Sequence, residues 1–61
     1  MTMSGEAMVK LLKEHGYVVD RINGSHYIMV KGNKTIPVPV HKGKDLHTKT
    51  LHQILKQAGL K

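Results

Sequence analysis

Five histidines stand out as the residues of this chain best suited to proton chemistry: His15, His26, His41, His47 and His52. Imidazole is the side chain that ordinarily titrates closest to neutral pH, so it both accepts and donates a proton there. His26 has the most informative surroundings. It follows the small polar run Asn23-Gly24-Ser25, with Val18 and Val19 before that run and Ile28-Met29-Val30 after it. Asn-Gly between two apolar runs is a strong short-range hairpin signal, and Gly24 can take a positive φ without steric cost. His26 is therefore expected to open the second strand of a hairpin, where it is held more stiffly than on a loop tip.

Other chemistries find less support. No two histidines have the i, i+4 spacing of a helical metal site and there is no cysteine to join them, so no metal site is expected. Ser25 is adjacent to His26, but neighbours on a strand point to opposite faces, which argues against a serine–histidine pair. Turn chemistry is the better role for its hydroxyl. No glycine-rich phosphate loop precedes a helix, and no paired carboxylates are present.

RNA cleavage remains because it asks for so little. RNA carries its own nucleophile, the 2′-hydroxyl, so a protein need supply only proton transfer, charge stabilisation and orientation. One placed histidine contributes roughly 10²–10⁴-fold by proton transfer. Arg21, Lys31 and Lys34 are candidates to stabilise charge on the phosphate oxygens, and Lys42, Lys44 and Lys49 to position the backbone, with Ser25 as a further polar contact. By residue type alone, a hairpin histidine bonded to a loop carbonyl is the commoner arrangement.

The elements that must position these groups can be read from patterning. Ser4 is a good N-cap, Glu6 suits the first turn, and Met8, Leu11, Leu12 and His15 recur on one helical face before Gly16. This predicts a helix over 4–15, with the His15 imidazole serving its terminal carbonyls. Strands are expected at 17–22, 26–31 and 34–40. Alternation puts Tyr17, Val19 and Arg21 on one side of the first. His26, Ile28 and Val30 share a face of the second. Pro37 and Pro39 confine the third to a sheet edge, leaving the second strand central. Thr48 is expected to cap a second helix with the stripe Leu51, Ile54, Leu55 and Ala58, ended by Gly59. The class is α+β in the order α-β-β-β-α, with both helices on one face of an antiparallel meander.

Sixty-one residues suggest one domain, spanning 1–61, with a thin core. The absence of cysteine fits a reducing compartment. The opening Met1-Thr2-Met3-Ser4-Gly5-Glu6 has neither a basic start nor an apolar run, so the expectation is a soluble, cytoplasmic protein with no signal peptide and no membrane partner. Ten Lys+Arg against four Asp+Glu give a net charge of +6, which favours a polyanionic partner, nucleic acid first. Only Tyr17 and Tyr27 could stack on bases, so phosphate contact is the better mode of binding.

Three blocks then carry a resemblance. Gly24-Ser25-His26 before a strand, Ile36-Pro37-Val38-Pro39-Val40-His41, and Thr50-Leu51-His52-Gln53-Ile54-Leu55-Lys56-Gln57-Ala58-Gly59-Leu60 together resemble the HicA family of mRNA interferase toxins. The resemblance covers essentially the whole chain. It implies a double-stranded-RNA-binding-domain-like fold and a toxin of a type II toxin–antitoxin system. Such a toxin degrades mRNA and is neutralised by a HicB-type antitoxin, and the chemistry here is expected to need neither metal nor other cofactor. It further implies that His26, the histidine of the Gly-Ser-His motif, is catalytic. A monomer is expected on its own, and a hetero-oligomer with the antitoxin. The alternative is an RNA-binding module of the same fold that recognises A-form shape and cuts nothing.

Overall fold

Ser4 starts the first helix as its composition suggests: its side chain accepts a hydrogen bond from the Ala7 N–H at 3.0 Å, and Glu6 sits in the first turn. The computed structural model describes residues 3–60; residues 1, 2 and 61 of the expected domain lie outside the described residues. The order is α1 (Gly5–Glu14), β1 (Val18–Asn23), β2 (His26–Lys31), β3 (Lys34–Pro39) and α2 (Thr48–Gln57). The three strands form one antiparallel sheet in the order β1-β2-β3, so β2 is central as expected. This is the α+β, double-stranded-RNA-binding-domain-like arrangement.

Both helices bury their apolar stripes on one face of the sheet. Met8, Val9 and Leu12 of α1 and Leu51 and Ile54 of α2 meet Met29 of β2 and Ile36 and Val38 of β3 in a single cluster. Val9 belongs to this core, whereas His15, expected on the same helical face, is exposed. Burying each such side chain is worth about 1.5–3 kcal/mol, so a cluster this small leaves little margin.

Both helices end alike. In α1 the Tyr17 N–H reaches Leu12 O and the Gly16 N–H reaches Lys13 O; in α2 Leu60 and Gly59 donate to Leu55 and Lys56 in the same pattern. That is a Schellman close, and it turns Tyr17 inward, out of β1 and into the core. The carbonyl that it leaves over, His15 O, accepts from Lys31 Nζ at 2.8 Å, and the same ammonium lies 5.7 Å from the Tyr17 ring centroid. A lysine from β2, rather than the His15 imidazole, thus serves the end of α1.

The start of α2 differs from expectation. His47 is the N-cap and makes no side-chain capping bond, Thr48 is the first helical residue, and the first turn has no acidic residue.

The hairpins also correct the sequence reading in one detail. The two central positions of the first turn are Gly24 and Ser25, between the pair Asn23 and His26. Gly24 has φ 62° while among the described residues none other than glycine has a positive φ, so only the first central position is left-handed, the pattern of a type II′ turn. Gly24 is needed there because a side chain would be strained. Lys31 and Lys34 flank Gly32-Asn33 in the same way.

Candidate active site

The pairing register assembles the site. His26 lies opposite Asn23 on β1 and Pro39 on β3, and Ile28 lies opposite Arg21 and Pro37. Directly opposed residues point to the same side of a sheet. The helix-covered side carries Met29, Ile36 and Val38, which are buried. His26, Arg21, Ile28, Val30, Pro37 and Pro39 therefore occupy the uncovered side, and the His26 ring is exposed there.

Arg21 reaches that side only through an irregularity in β1. Val19 pairs with Met29 and Arg21 with Ile28, so Asp20 is the extra residue of a bulge. Strict alternation would have kept Arg21 with Val19 on the helix-covered side. With the bulge, it stands two residues from Asn23, about 7 Å along the strand at 3.4 Å per residue. Ile22 moves the other way, pairs with Tyr27 and is left exposed at the sheet's margin.

The β3 chain stays beside the hairpin past its last strand residue, because the Val40 N–H donates to Ser25 O at 2.7 Å. Residues His41 to Lys44 then turn back, closed by a Lys44 N–H bond to His41 O at 3.0 Å. Leu46 anchors the far end: it is buried, and its N–H donates to Met3 O at 2.7 Å. Between this loop and the start of α2 lies a cleft of about 290 Å³, lined by Pro39, His41, Lys44, Asp45, His47 and Thr50 among others. On the helix side of the hairpin tip, Ser25, Tyr27 and Lys42 line a second depression of about 480 Å³ with Glu6.

Residues 5–60 match the family described as HicA toxin of bacterial toxin-antitoxin. The chain belongs to the HicA toxin family. Nothing among curated proteins or solved structures matches it significantly. Family membership makes it a toxin with a toxin–antitoxin partner.

The cations named from this HicA toxin's sequence separate into two groups. Arg21, Lys42 and Lys44 stand at or near the His26 end, Arg21 on its face and Lys42 and Lys44 lining the two depressions, while Lys49 is exposed in the first turn of α2. Lys31 and Lys34 form the opposite end of the β2–β3 ladder. At roughly 3.4 Å per residue, β2 puts them about 17 Å from His26. His47, Thr50 and Pro39 are brought to the site by the fold and carry no local sequence signal, because loop closure and not spacing unites them. His52 stays on the wet side of α2. Among the described residues no three His, Cys, Asp or Glu side chains gather as metal ligands, and no helix is long and apolar enough to cross a membrane.

Proposed function

We propose that this HicA toxin is a single-domain endoribonuclease that cleaves mRNA through the RNA's own 2′-hydroxyl, with His26 in general acid–base catalysis and no cofactor. The observation that supports this most is the exposed imidazole at the first position of the central strand, on the uncovered side of the sheet. It is held there by ladders on both sides. His26 accepts the 2′-hydroxyl proton, the 2′-oxygen attacks the adjacent phosphorus, the P–O5′ bond breaks, O5′ takes up a proton, and a 2′,3′-cyclic phosphate and a 5′-hydroxyl end result. Arg21 is the cation on the same face, suited to stabilising charge on the phosphorane oxygens. Lys42, Lys44 and Lys49 position the strand through its phosphates, with Ser25 at the hairpin tip. Lys31 and Lys34 contribute to the long-range field only.

A HicB-type antitoxin silences the toxin by covering the His26-bearing surface, its acidic groups pairing with Lys42, Lys44 and their neighbours. Association between the two proteins then slows as salt rises, and a salt-independent rate would refute this mode of recognition.

The decisive experiment incubates purified protein and His26→Ala with RNA in the presence of EDTA. Wild type is expected to cut, and His26→Ala to cut about 10²–10⁴-fold more slowly while still binding. Equal cutting by both removes His26 from the mechanism. Binding without cutting by wild type establishes instead the non-catalytic RNA-binding module.

A further inference from the structure

RNA cleavage by 2′-hydroxyl attack needs two proton transfers, one from the nucleophile and one to the leaving 5′-oxygen. We propose that His41 makes the second, and that the cleft it lines seats the nucleotide on the leaving side of the scissile bond; this rests on the ribonuclease reading above.

The backbone brings the two histidines together. The Val40 N–H bond to Ser25 O joins the residue before His41 to the residue before His26. His26 faces Pro39 at the end of β3, and His41 lies two residues beyond, next to the Val40 bond that carries the contact one residue further. Diagonal neighbours on one face of an antiparallel pair are about 7–8 Å apart. A separation of that order admits a phosphate between the two rings, with each ring nitrogen within the roughly 2.6–3.2 Å that proton transfer requires. Pro39 and His41 line the same cleft, which begins where the strand partner of His26 ends.

Other candidates for the second group are excluded by position. Tyr27 pairs with Val38 and Ile22, so it points to the helix-covered side. Lys31 is at the far end of β2 with its ammonium on His15 O. His47 lines the cleft from the N-terminus of α2, and with Lys44 and Thr50 it offers donors to a phosphate beyond the one being cleaved. At about 290 Å³ the cleft matches the low end of small-ligand sites, about the scale of one nucleotide. Asp45 is the single carboxylate lining this cleft.

The step balances without any further reagent. His26 takes the 2′-hydroxyl proton; the O2′–P bond forms and the P–O5′ bond breaks. The His41 imidazolium gives its proton to O5′, leaving a cyclic phosphate on one fragment and a 5′-hydroxyl on the other. Both rings are restored by exchange with water.

The test compares an oligoribonucleotide cut by the wild-type protein with the same oligonucleotide carrying sulfur in place of O5′ at the mapped cleavage position. A thiolate leaves without being protonated. His41→Ala is expected to slow cleavage of the ordinary substrate by about 10²–10⁴-fold and to cut the sulfur substrate at close to the wild-type rate. His26→Ala should be slow on both. Activity of His41→Ala on the sulfur substrate also shows that the variant is folded. Equal slowing on both substrates, or wild-type cutting of the ordinary one, overturns the assignment to His41. If wild type cuts neither substrate, the ribonuclease reading fails first, which is a distinguishable result.

Discussion

Replacing Gly5 by alanine tests whether the helices are packed against the site as tightly as the structure has them. Intrinsic propensity predicts a gain: alanine is favoured over glycine in a helix by up to about 1 kcal/mol, and losing glycine's freedom in the unfolded chain acts in the same direction. The packing predicts a loss. A methyl group at Gly5 would overlap Pro39 O and come within 2.8 Å of Val40 Cα and 3.0 Å of Val40 Cγ2. Two of these atoms are backbone and cannot swing aside, so α1 must lift from β3. Overpacking of this kind costs about 1–3 kcal/mol, which outweighs the propensity gain and leaves a net loss of roughly 0.5–2 kcal/mol. For a domain of this size each kcal/mol moves Tm by about 4–8 °C, so Gly5→Ala should melt between about 2 and 16 °C below wild type. Thermal unfolding by circular dichroism measures this, with exposed Lys10→Ala as a control expected within about 0.5 kcal/mol. RNA cutting at a temperature where both proteins are folded should fall too, because the displaced segment carries the Val40 bond to Ser25. A Gly5→Ala protein that melts at or above wild type would refute the reasoning.

Lys31→Met should lower stability by about 0.3–1 kcal/mol through loss of the cation at the α1 terminus and leave RNA affinity nearly unchanged. Lys44→Ala should do the reverse, weakening RNA binding and reducing the slope of log affinity against log salt by about 0.7, as for one lost single-strand phosphate contact. His47→Asp supplies the missing cap and a negative charge at the N-terminus of α2, so it should raise stability by about 0.5–2 kcal/mol and weaken RNA binding at the cleft. Ser4→Ala should cost about 0.5–2 kcal/mol in urea unfolding, as removal of a working N-cap does.

The sequence carried most of the fold because its signals were local. Glycines at helix ends, Ser4 before α1 and the turn at Gly24 act over a few residues each and were legible one by one. The bulge at Asp20 was not. Neither Asp20 nor Arg21 is unusual for a strand, and the extra residue shows only in the pairing, where Val19 meets Met29 and Arg21 meets the adjacent Ile28. The consequence fell on the site, since the side of the sheet reached by Arg21 depends on that residue. Lys31 was misleading for a similar reason: its charge was visible, but its engagement with His15 O depends on how β2 passes the end of α1. The cleft was invisible in the sequence because His41 and His47 meet through the turn at Lys44 and the anchoring of Leu46, which no spacing rule encodes.

The edges of the sheet bear on how a partner can approach. The Val40 N–H points toward β2, to Ser25 O. Alternation along the strand therefore turns the Ile36 and Val38 amides inward as well, and puts the nitrogens of Pro37 and Pro39 on the outer side. The prolines cost the ladder nothing and strip the β3 edge of two donors that an incoming strand would need. The β1 edge is interrupted by the Asp20 bulge, flanked by a carboxylate and a guanidinium. Strand addition is thus disfavoured on both sides, and the approach left to RNA or antitoxin is across the face and cleft, by side-chain contacts in which cations predominate. Binding by backbone ladders would be nearly indifferent to salt, whereas binding through Arg21, Lys42 and Lys44 cannot be. The salt dependence of association therefore tests the geometry of approach as well as the identity of the cations.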